Sequence, residues 1–89
     1  MDQLKAVKKV VNHTVLFLKE GRIGGIFLQI DEEVNTVTSF DSRLFFDGEP
    51  YYCRSFVDPR KAIDAFRESV SVSQHRGWVV VYNGRPNFG

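Results

Sequence analysis

One helix in this chain is marked at both of its ends, and the rest of the fold has to be arranged around it. Asp58 stands where a side-chain oxygen accepts from the free backbone N–H groups of a first helical turn. Pro59 takes the next position, where a missing donor costs nothing. Ala62, Ile63, Phe66 and Val70 recur at helical spacing and form a single apolar stripe. His75 and Arg76 lie at the negative end of the helix dipole, and Gly77 offers the left-handed conformation that closes a helix. A helix with one apolar stripe needs an apolar surface to lie on, and the segments around it are patterned to supply a sheet.

Residues 24–30 alternate Ile26, Leu28 and Ile30 against Phe27 and Gln29, and Asp31, Glu32 and Glu33 then form a polar break that turns the chain. Residues 34–40, rich in Thr and Val, read as the returning strand. Residues 43–46 and 51–57 read as a hairpin across Asp47, Gly48, Glu49 and Pro50, whose Asp-Gly pair suits positive φ angles. After the helix, residues 78–82 are an apolar run short enough for a buried strand, closed by Asn83 and Gly84.

The amino-terminal segment admits two readings. Leu4, Val7, Val11, Val15 and Leu18 recur at three- and four-residue steps, with Lys5, Lys8, Asn12 and Lys19 opposite, which predicts a helix over 2–20 capped by Asp2 and ended by Gly21. The competing reading makes residues 13–19 a strand hairpinned into the next segment, because Thr14, Val15 and Phe17 favour strands. Under the first reading the order is α-β-β-β-β-α-β: an α+β domain over 1–84 with a mostly antiparallel sheet, two amphipathic helices on one face, and a short tail at 85–89.

The chain's 89 residues leave room for one core, and 43% hydrophobic residues, with eight Phe, are enough to fill it. A domain this small buries a modest share of its surface, so a second copy or a partner is the expected source of further burial. Twelve Lys and Arg against eleven Asp and Glu give a charge of +1, which excludes nucleic-acid binding by net charge alone. The lone Cys53 leaves no disulfide framework and points to a reducing, cytoplasmic setting. No stretch has the roughly 18 apolar residues of a membrane span.

Catalytic and metal chemistry find no foothold in the spacing. Gly21, Gly24 and Gly25 lie ahead of a strand, whereas phosphate loops leave a strand and open a helix; these glycines read as a helix cap and a close backbone approach. Cys53 is remote in sequence from His13 and His75 and reads as a small buried hydrophobe. One Cys and two separated His lack the paired ligands of a zinc site, and the acidic turns lack the alternation of a calcium loop. Lys5, Lys8, Lys9 and Lys19 read as a solvating helix face.

One constellation survives. Arg43 and Phe45 share one side of their strand, as do Tyr52, Arg54 and Phe56 of theirs. If the two sets meet, they form an aromatic and arginine face, with Leu44, Phe46, Tyr51 and Cys53 packed beneath the helices. Such a face suits a protein interface, and it also suits stacked single-stranded RNA or DNA. The expectation is a non-enzymatic interaction domain, homodimeric through a sheet face and acting by binding another macromolecule. The alternative is a nucleic-acid binder using Arg43, Phe45, Tyr52, Arg54 and Phe56. No cofactor, metal, membrane contact or small-molecule ligand is expected.

Overall fold

The computed structural model describes residues 11–41 and 51–85. These form strands β1 (Val11–Lys19), β2 (Arg22–Ile30), β3 (Asn35–Asp41) and β4 (Tyr51–Ser55), helix α1 (Pro59–His75) and strand β5 (Val79–Gly84). The five strands make one sheet in the order β4-β3-β2-β1-β5, every neighbouring pair antiparallel. The first four run as a meander, and α1 then crosses one face of the sheet to deliver β5 to the far edge. Among the described residues no helix is long and apolar enough to cross a membrane.

Residues 11–19 are a strand, which corrects the helix expected over 2–20; residues 2–10 lie outside the described residues. The three-and-four spacing of Val11, Val15 and Leu18 coexists with a two-residue alternation, and the turn decides between them. Glu20 and Gly21 both have positive φ, 50° and 78°, the backbone of a two-residue hairpin turn that matches the twist of antiparallel strands. Gly21 therefore turns a hairpin instead of capping a helix. Val15 and Phe17 point into the core, and Leu18, on the expected helical stripe, faces the other side.

The second correction concerns β4. Its partner is β3, with Val37 opposite Arg54 and Ser39 opposite Tyr52; the expected partner segment 43–46 lies outside the described residues. Pairing ends at Ser55, and Val57, expected within the strand, is almost fully exposed. Asn35 secures this exit: its buried side-chain amide donates to the carbonyls of Phe56 (3.1 Å) and Val57 (3.2 Å), while its own carbonyl accepts from Phe56 N–H at 2.8 Å. The turn between β2 and β3 falls at the expected acidic break, with an Asp31 carboxylate oxygen accepting from the backbone of Glu33 and Val34, both at 2.9 Å.

The expected ends of α1 are the observed ones. Asp58 accepts from Arg60 N–H at 2.9 Å, and Pro59 opens the first turn. At the other end Gly77 (φ 97°) donates to Gln74 and Trp78 donates to Ser73, both at 3.0 Å, the paired bonds of a Schellman cap. Lys19 of β1 donates to the carbonyl of Arg76 at 2.6 Å, tying the hairpin to the negative end of the helix. The core lies between α1 and the sheet: Ala62 and Phe66 from the helix meet Val15, Phe17, Ile26, Leu28, Ile30 and Val37.

Candidate functional site

The sheet has two unlike faces, and register assigns each residue to one of them. The inner face, under α1, carries alternate residues from Val11 on β1, Ile26 on β2 and Val37 on β3. Tyr52 and Arg54 share this side, because they pair with Ser39 and Val37. Cys53, opposite Thr38, points outward and is exposed, correcting its expected burial; Thr38 donates to its sulfur at 3.3 Å. The expected arrangement of this strand is therefore reversed: the Tyr52 and Arg54 side lies with the helix, and Cys53 faces away.

Of the expected binding face, Arg43 and Phe45 lie outside the described residues, as do Leu44 and Phe46. Tyr52 is 62% exposed, and the Arg54 guanidinium lies over the half-buried Phe56 ring, 5.5 Å from its centroid. Cys53 and His13 stand on opposite faces, three strand spacings or roughly 14 Å apart, so no thiolate and base meet there. His13 instead packs edge-on against Phe66, with ring centroids 5.5 Å apart, and bonds to Asn83 at 2.5 Å. Among the described residues no group of His, Cys, Asp and Glu is placed to hold a metal ion.

No described element covers the outer face, and its side chains fall into rows across the strands. At the hairpin end Ile23, Leu18 and Val79 are register neighbours on β2, β1 and β5. They are 52%, 43% and 62% exposed, in a row with no polar side chain among the described residues. Tyr82, Leu16, Gly25 and Phe40 form the next row, in which a Cβ on Gly25 would stand 2.5 Å from the Phe40 ring. Phe40 in turn stacks on Phe27, centroids 5.6 Å apart. At the opposite end Asn12, Gln29, Thr36 and Ser55 make a polar row. Charged side chains are absent from this face among the described residues.

A second feature lies on the inner side. The buried residues of α1, Ala62 and Phe66, both belong to its first half. Beyond Phe66, Val70 still packs against the core, but beside it the helix carries Ser69 and Ser73, side chains too small to reach the sheet. Below them the sheet presents Gly24 and Ser39. The result is a cleft of about 500 Å³, floored by Phe17 and Ile26, closed at one end by Trp78, and flanked by Asp41, Arg54 and Glu68. Arg22 pairs with Asp41 at 3.7 Å and lies 5.0 Å from the Trp78 ring centroid. Sequence reasoning missed this cleft; its signal was the change from Phe66 to two serines along one helical stripe.

Compared with protein-family models, with curated proteins and with solved structures, the chain matches none.

Proposed function

We propose that this chain is a non-enzymatic interaction domain of the cytoplasm that forms a homodimer through the apolar end of its outer sheet face and acts by binding another macromolecule. The observation that carries this reading is the exposed row of Ile23, Leu18 and Val79, contiguous over three strands. A two-fold interface sets one patch against its own copy, so an uncharged apolar patch meets no like-charge repulsion. Strand β5 adds to the argument, since it ends the sheet with Val79, Val81 and Tyr82 exposed and no lysine or arginine to protect the edge. The lone cysteine and the absence of a disulfide framework support the compartment.

Light scattering on the purified chain is expected to give about twice the chain mass at micromolar concentration, and Leu18→Glu or Val79→Glu to halve it with the circular dichroism spectrum unchanged. A monomer at every concentration would sink this reading. The nucleic-acid alternative draws on the exposed Tyr52 beside Arg54. It is weaker because Arg54 is on the helix side, and the outer face has no cation among the described residues to meet phosphate.

A further inference from the structure

The cleft beneath the second half of α1 is more than a gap in packing. The space lies between a sheet and a helix that both present polar side chains to it, and one larger side chain at Ser69 or Ser73 would occupy part of it. It is kept open by two serines on the helix and by Ser39 on the sheet, while Gly24 lies against the Trp78 ring, 3.2 Å from where a Cβ would stand. Its volume falls within the range of small-molecule sites, and its lining joins apolar side chains, among them Phe17, Ile26 and Trp78, to about as many polar ones.

The charges define the ligand. Asp41 is engaged by Arg22, which leaves Arg54 on the sheet wall and Glu68 on the helix wall. Among the described residues neither has an oppositely charged side chain within ion-pair distance. The cleft thus presents one cation and one anion from opposite walls, with Phe17 and Ile26 on the sheet side, Val72 on the helix side, and the hydroxyls of Ser39, Ser69 and Ser73 nearby. From this geometry we infer that the cleft binds a small zwitterion with an apolar body, of the class of α-amino acids with aliphatic side chains. The carboxylate pairs with Arg54, the ammonium with Glu68, and the side chain lies on the apolar floor.

Trp78, the chain's sole tryptophan, closes the cleft and supplies the readout. Titration with L-leucine is expected to change its emission saturably, with a Kd of about 0.1–1 mM for so small a ligand. Isocaproate lacks the ammonium and isoamylamine lacks the carboxylate, and each is expected to bind at least about tenfold more weakly. Arg54→Gln should make leucine no tighter than isoamylamine, and Glu68→Gln should make it no tighter than isocaproate, each variant removing one charge contact and sparing the other. Ser69→Leu should weaken binding at least about tenfold while the thermal midpoint holds or rises, because the added side chain occupies part of the space and gains apolar contact. No saturable change by about 10 mM leucine, or equal binding of all three compounds, overturns the proposal.

Discussion

Gly77 has φ of 97°, and its N–H and that of Trp78 close the last turn of α1 on Gln74 and Ser73. A Cβ there would meet the end of the Lys19 side chain at 3.5 Å, ordinary contact, so the obstacle to any other residue is the backbone angle and not the space. Gly77→Ala is therefore expected to cost about 1 kcal/mol, read as a lower midpoint in urea with an unchanged slope. Gly25 is the opposite case, with an ordinary backbone and no room, the Phe40 ring standing where its Cβ would go. The first of these glycines was legible in sequence, because a helix end is a local event. The second was not, because Leu16 and Phe40 reach Gly25 only through the sheet register.

The hairpin of β1 and β2 is the element on which two local signals conflicted. Helical spacing and strand propensity overlap between Val11 and Lys19, and propensity is a weak prior until tertiary pairing is counted. Pairing β1 with both β2 and β5 satisfies its backbone on two sides and puts Val15 and Phe17 in the core, burial that an isolated helix of this length would lack. The turn itself is imperfect, since Glu20 holds φ of 50°, a conformation asparagine adopts at lower cost. Glu20→Asn, which makes the preferred Asn-Gly pair, should raise stability by about 0.5–1 kcal/mol in thermal or urea unfolding. A drop in stability would mean that the Glu20 side chain contributes more than the turn angle costs.

At the scale of the molecule, the cations of the sheet are dispersed. Lys19 is held by the Arg76 carbonyl, Arg22 by Asp41 and Trp78, and Arg54 rests on Phe56, so the described cations of the sheet are each engaged at a different place. The apolar row on the outer face carries the association. Salt is then a discriminating variable: the concentration at which dimer and monomer are equal should shift less than about twofold between 50 mM and 500 mM salt, since apolar burial is weakly screened. Binding to phosphate would instead weaken steeply over that range. Micromolar affinity for a labelled single-stranded oligonucleotide near about 150 mM salt, lost in both Tyr52→Ala and Arg54→Ala, would replace the protein-interaction reading with the nucleic-acid one.

What the sequence determined by itself was what is written within a few residues: both ends of α1, its apolar stripe, the turn at Asp31, and the alternation that puts Ile26, Leu28 and Ile30 in the core. Each rests on short-range geometry, a cap, a turn or a period. The tertiary structure alone decided which strand lies beside which. It set β4 against β3, turned Tyr52 and Arg54 toward the helix, and exposed Cys53. A strand's two sides are fixed by its own sequence, but which side meets the core depends on its partner's register, and a shift of one residue exchanges them. The cleft belongs to the same class: Ser69 and Ser73 are unremarkable on a helix until Gly24 and Ser39 are brought beneath them.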